Sequence, residues 1–216
     1  MTIMSPPDAG AAPQPPAARR LTAIYGGAFD PVTKAHLAMA DLVASRGYRL
    51  VFMPCADAHV FGKRMLPAID RVALLRLAVG DRYEVSLMEI EDGISRAADT
   101  WPKAVERYGP VHWVIGSDNA ACMHRWHDGA RLIRQLPFIV IGRDGHPLPA
   151  SGEWCLSPPH QFLSADLNGS SSQAREAILN RRWEDAALLL SAPVLDQIRK
   201  RGWYSGDCRE IQPIAP

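Results

Sequence analysis

The 216-residue sequence predicts an α/β domain: an open parallel β-sheet with helices on both faces and a small helical part toward the C-terminal end. Two observations carry this expectation. From Leu21 onward, short apolar runs alternate with segments whose apolar residues recur at helical spacing, the pattern left by successive βαβ connections. Runs such as Val111–Ile115 and Phe138–Ile141 are apolar almost throughout, as strands covered on both faces must be.

Leu21–Tyr25 reads as the first strand. Leu37, Ala40, Val43 and Ala44 then mark a helix that Gly47 stops, and Arg49–Pro54 follows as the second strand. Pro67 opens a second helix with Ile69, Val72, Ala73 and Leu77 on one side, and Gly80 ends it. Tyr83–Ile90 is expected to be the third strand. A helix over Asp99–Tyr108, the strand Val111–Ile115, a helical stretch through Leu136 and the strand Phe138–Ile141 bring the expected strands to five. Pro and Gly punctuate residues 142–169 so heavily that no element is assigned there. Helices are expected near 170–179, 183–190 and 194–201. Residues 1–20 hold five Pro and five Ala and read as a disordered extension. The expected domain spans residues 21–204, and 205–216 read as a flexible tail.

Composition narrows the function classes. Hydrophobic residues make up 47% and charged residues 22%, and no apolar run approaches the ~18 residues a bilayer span needs. A formal net charge of +1 does not suit a domain held mainly by nucleic-acid phosphates. Arg19 and Arg20 come last in the N-terminal extension, the reverse of a secretory signal. Cys55, Cys122, Cys155 and Cys208 form no CxxC pair, so a reducing, cytoplasmic setting is expected. Cys122, His124 and His127 lie close together without a fourth ligand nearby, and no metal centre is expected.

The most informative stretch joins the first strand to the first helix: Gly26-Gly27-Ala28-Phe29-Asp30-Pro31-Val32-Thr33-Lys34-Ala35-His36-Leu37. Paired glycines let the backbone approach a ligand, and the helix that follows points its free N–H groups at the same place, so an anion is expected to bind there. GxGxxG fails at Ala28 and no GxxxxGK[ST] occurs, which sets aside the two common phosphate loops. Thr33 and His36 are three apart and share the first helical turn. Farther on, Ser170 with Gln173 forms a capping box, while Ser171, Ser172 and Arg175 would offer hydroxyls and a guanidinium to a phosphate. Trp126 is open to two readings, plain core or an aromatic plate under a planar ligand.

Residues 26–37 resemble the GGxFDPxHxGHL segment of the nucleotidyltransferase superfamily, in particular the nicotinate/nicotinamide mononucleotide adenylyltransferases. Three further segments match in the same order: Ala58–Lys63 with Arg71 after it, Gly116-Ser117-Asp118-Asn119 with Trp126 downstream, and Ser170-Ser171-Ser172-Gln173-Ala174-Arg175. Gly202-Trp203-Tyr204 resembles the family's closing G-L-Y. The resemblance implies a Rossmann-like sheet and adenylyl transfer from ATP, with Mg²⁺, to a pyridine mononucleotide. His36, Thr33, Lys63 and Arg175 would be catalytic. Gly26, Gly27, Ala28, Phe29, Gly116, Asp118, Ser170, Ser171 and Ser172 would bind ATP, and Thr100, Asn119 and Trp126 the acceptor.

Departures from the family pattern bear on the acceptor. Thr33 stands for the first histidine, Ala35 for a glycine and Ser172 for a threonine. The S-Y-T-x-D-T stretch appears as Ser95-Arg96-Ala97-Ala98-Asp99-Thr100. A nicotinate carboxylate calls for a donor, which Arg96 could supply, whereas the amide calls for a donor and an acceptor together. The alternatives are a related nucleotidyltransferase acting on another phosphorylated acceptor such as phosphopantetheine, and a nucleotide-binding regulator without turnover.

Overall fold

The structure is a computed structural model that describes residues 20–57, 65–142, 154–165 and 167–206. The expected extension 1–20 therefore lies outside the described residues except for Arg20, as do Lys63 and the tail beyond Gly206. Among the described residues, six parallel strands form one sheet in the order β3-β2-β1-β4-β5-β6. They are β1 (Thr22–Gly27), β2 (Arg49–Pro54), β3 (Glu84–Val85), β4 (Val111–Gly116), β5 (Phe138–Ile141) and β6 (Gln161–Leu163). The helices that connect and cover them are α1 (Lys34–Ser45), α2 (Ala68–Val79), α3 (Met88–Glu91), α4 (Ala97–Tyr108), α5 (Ser117–Ala121) and α6 (Gly129–Gln135). After β6 come α7 (Ser171–Leu179), α8 (Trp183–Leu189) and α9 (Ala192–Arg201).

The alternation of side chains along each strand builds two cores. Ala23, Tyr25, Leu50, Phe52, Val114, Ile139 and Ile141 pack on one face with apolar residues of α1, α2 and α7–α9. Ile24, Val51, Met53, Trp113, Ile115, Phe138 and Val140 pack on the other with residues from α4–α6. Burial on both faces explains the near-continuous apolar strands. It also leaves the strand ends, and the loops beyond them, as the place where polar chemistry can gather.

Three expectations need correction. The third strand keeps only Glu84 and Val85; Met88–Glu91 coils into α3 instead of extending the sheet. The sheet has six strands, because Gln161–Leu163, inside the unassigned stretch, pairs with Ile139–Ile141. In α2 the buried positions are Ala68, Arg71, Val72, Leu74, Leu75 and Val79, whereas Ile69 is 72% and Leu77 47% exposed. α2 is apolar on more than one side, and α9, which packs on it, selects the face that is buried.

Candidate active site

Strand order reverses at β1, whose neighbours are β2 on one side and β4 on the other. Beyond the carboxyl ends of β1 and β4 this reversal opens a crevice, the usual ligand position in open α/β sheets. A cleft of about 550 Å³ lies there. Its walls bring together Gly26, Gly27, Ala28, Phe29, His36, Gly116, Asp118, Asn119, Trp126, Ser170, Ser171, Ser172 and Arg175. Thirteen of the sequence-predicted site residues thus face one space, although they come from segments up to about 150 residues apart.

The glycine turn is shaped by packing as much as by ligand approach. A Cβ on Gly26 would come 3.2 Å from the Trp113 ring, and one on Gly27 would come 3.2 Å from the Phe29 ring. A side chain at either position would require the facing aromatic ring to give way by a few tenths of an ångström. Thr33 caps α1: its hydroxyl accepts from the His36 N–H at 3.4 Å, and its own N–H donates to His36 Nδ1 at 2.9 Å. With Nδ1 occupied as an acceptor, the proton of the neutral imidazole sits on Nε2. Thr33 itself is 2% exposed and is not among the residues that line the cleft; its contacts there are with His36, whose tautomer and orientation they set.

At the N-terminus of α7, Ser170 accepts from the Gln173 N–H at 3.2 Å, which is the capping half of the expected box. The Ser171 hydroxyl donates to Pro31 O at 2.9 Å and so ties α7 to the glycine turn rather than standing free as a donor. Arg175 donates to Asp30 O at 2.6 Å and to Ser172 Oγ at 3.2 Å, leaving its other N–H groups for an anion. Two helix N-termini, α1 and α7, therefore converge on the same corner of the cleft and make it electropositive.

Thr100, expected to border the acceptor, is fully buried in α4, donates its hydroxyl to Glu89 Oε1 at 2.6 Å and is not among the residues that line the cleft. Glu89 does line the cleft and went unnoticed in the sequence, where it sat in a run read as a strand. Burial pushes its carboxyl up to about 7, against the opposing pull of the Thr100 hydroxyl. Between its ordinary value near 4.5 and about 7, the native state keeps a proton that the unfolded chain has released. Its contribution to stability is thus present at low pH, falls across that window and is flat above it. Glu89→Gln should raise Tm relative to wild type at about pH 8 and give no such advantage at about pH 4, with a ceiling of about 3 kcal/mol. A Tm difference independent of pH would show that this carboxyl does not titrate in that range.

Arg96 and Ser95 also line the cleft. Arg96 occupies the N-cap of α4 without a side-chain cap bond, a position where a cation opposes the helix dipole. Among the described residues, Ser95 Oγ, Asp118 Oδ1 and Trp126 Nε1 are buried on this wall without a hydrogen-bond partner. Such atoms cost free energy unless something polar meets them. Among the described residues, no three His, Cys, Asp or Glu side chains gather as a metal cage. No described helix is long and apolar enough to cross a membrane.

Residues 24–177 match the family described as Cytidylyltransferase-like, and with the 3-2-1-4-5-6 sheet and its crevice they define the protein as a nucleotidyltransferase. A probable nicotinate-nucleotide adenylyltransferase of Dehalococcoides mccartyi (strain ATCC BAA-2100 / JCM 16839 / KCTC 5957 / BAV1) is 30% identical over 208 residues, covering 88% of this chain and 98% of the relative. One from Treponema pallidum (strain Nichols) is 32% identical over 201 residues, covering 84% and 98%. The chain belongs to the nicotinate-nucleotide adenylyltransferase family. Its fold is shared with the Plasmodium falciparum nicotinic acid mononucleotide adenylyltransferase, solved in complexes with APC and with NaAD, at a TM-score of 0.71 and 19% identity over 86% of this chain and 97% of the other.

Proposed function

We propose that the protein transfers AMP from ATP to nicotinate mononucleotide, releasing pyrophosphate and forming the adenine dinucleotide in NAD biosynthesis. The observation that carries this reading is the meeting of the α1 and α7 N-termini, with His36 and Arg175, over the glycine turn. Such a corner suits a triphosphate. A phosphate oxygen of the mononucleotide attacks the α-phosphorus, the bond to the bridging oxygen breaks, and its electron pair leaves with pyrophosphate. No covalent enzyme intermediate is required.

The protein's task is to hold two mutually repelling anions in line and to neutralise charge on the equatorial and leaving oxygens. His36 donates through Nε2 to the α-phosphate beside the Gly27 and Ala28 amides. Ser172, Arg175 and the amides at the start of α7 take the β/γ end, with Lys63 as a further cation. Mg²⁺ enters as part of the substrate, held by the triphosphate and water. Gly26, Phe29, Gly116 and Ser170 shape the ATP side. Asp118, as a carboxylate that only accepts, suits a ribose hydroxyl. Asn119 and Trp126 border the acceptor, with the ring of Trp126 flanking the pyridine.

Arg96 favours the acid over the amide. A guanidinium set against a helix dipole, with no ion-pair partner among the described residues, is stabilised by an incoming carboxylate and gains little from a neutral carboxamide. Arg96→Gln should lower kcat/KM for nicotinate mononucleotide about tenfold and leave the value for nicotinamide mononucleotide within about twofold. Equal losses on both would remove Arg96 from acceptor choice. The activity itself is tested with purified protein, ATP, Mg²⁺ and each acceptor, following pyrophosphate and the adenylylated product. Turnover on phosphopantetheine alone, or ATP binding without product, would overturn the assignment.

A further inference from the structure

Asp30 lies in the glycine turn and is 3% exposed, yet nothing in its role as part of a phosphate loop requires a buried carboxylate. Its Oδ1 accepts from the Leu66 N–H at 3.2 Å and from the Tyr204 hydroxyl at 2.6 Å, and its Oδ2 is 3.9 Å from Arg175 Nη1. Tyr204 comes from the far end of the chain, just past α9. It adopts φ +61°, a left-handed backbone that a non-glycine residue keeps only where its surroundings over-determine it. Burial and the neighbouring Asp30 carboxylate both raise the phenol, so it remains a donor.

On the reading of the cleft as a triphosphate site, we propose that Tyr204 is a positioning residue: by donating to Asp30 it keeps that carboxylate from capturing Arg175, so that the guanidinium is available to the phosphates. The geometry makes the competition direct. Arg175 is anchored at Asp30 O and Ser172 Oγ, and the carboxylate of that same Asp30 lies 3.9 Å from its Nη1. A carboxylate buried with one donor removed recruits another charge-assisted bond, and Arg175, whose Nη1 lies 3.9 Å from Oδ2, is within reach, whereas the nearby Arg71 is held by backbone carbonyls. The closing Gly-Trp-Tyr segment thereby couples the last helix to the phosphate end of the site. The pyridine end, at Arg96 and Trp126, lies outside this coupling.

Tyr204→Phe keeps the ring and removes only the hydroxyl. Binding of inorganic tripolyphosphate, measured by calorimetry, and KM for ATP should both weaken about five- to tenfold, while KM for the pyridine mononucleotide stays within about twofold. In an Arg175→Gln background the same change should cost nothing further, because the competition it relieves no longer exists. Unchanged tripolyphosphate binding would overturn the proposal, as would equal weakening of both substrates or full additivity with Arg175→Gln. A wild-type protein that turns over no pyridine mononucleotide would instead reject the proposed function, and the tripolyphosphate measurement would still read Tyr204. A lower Tm with wild-type tripolyphosphate affinity would mark the tyrosine as structural only and also overturn it.

Discussion

His36→Ala is expected to lower kcat by about 10²–10³ while changing KM for ATP by no more than about threefold. The reason is the direction of the imidazole. Thr33 N–H occupies Nδ1, so Nε2–H is the donor of a neutral ring that lines the cleft. Charge on the α-phosphate oxygens is spread in the ground state and redistributes in the transition state, where a fixed donor gains most. The substitution also removes half of the capping box of α1, at a cost of about 1 kcal/mol. His36→Glu separates the two effects, since glutamate is a favoured residue at that capping position but repels phosphate. It should recover Tm and remain as inactive as His36→Ala. Parallel losses in kcat and ATP affinity for His36→Ala would show that the ring contributes ground-state binding only.

Arg71→Met is expected to destabilise the fold by about 3–5 kcal/mol, roughly a 10 °C fall in Tm for a domain of this size. Arg71 is fully buried in α2, and its guanidinium reaches in several directions. It donates to Leu66 O at 2.9 Å, Ala28 O at 2.7 Å, Cys55 O at 2.8 Å and, at 3.4 Å, to Ala56 O and the more exposed Asp57 carboxylate. Methionine fills much of the volume but leaves those carbonyls without donors in a place water does not reach. Arg71→Lys should recover only a small part, because one ammonium cannot span carbonyls that a planar fork joins. Because Ala28 belongs to the glycine turn, both variants should lose activity along with stability. A Tm within about 2 °C of wild type for Arg71→Met would mean that those carbonyls find other partners.

The corner of the cleft where the α1 and α7 N-termini meet was legible in the sequence because its parts are local. A strand ending in two glycines, a threonine that caps the next helix and a histidine three residues later are all read within one short segment, as are Ser170 through Arg175. Residues whose role depends on distant neighbours were not legible in the same way. Thr100 looked like a substrate contact but lies in the core, where its hydroxyl meets Glu89 eleven residues earlier. Arg71 enters the sequence reading only as a residue that follows the Ala58–Lys63 segment, and the approach of the loops around Ala28, Cys55 and Leu66 is what buries it. The short strand Gln161–Leu163 carries no readable period, since three residues cannot display one, and it exists because Ile139–Ile141 offers it an edge.

What the chain settles by itself is whatever neighbouring residues decide together: the run of strands and helices, the helix caps, and the turn that faces an anion. Hydrogen bonds and steric limits act there over a few residues, so the sequence records them directly. The tertiary structure alone decides which face of α2 turns inward, which hydroxyls are already engaged, and that Tyr204 meets Asp30 across 174 positions of chain. Those outcomes depend on burial and on partners brought together by the closing of the sheet. Desolvation is a property of the assembled surroundings, and no single segment carries it.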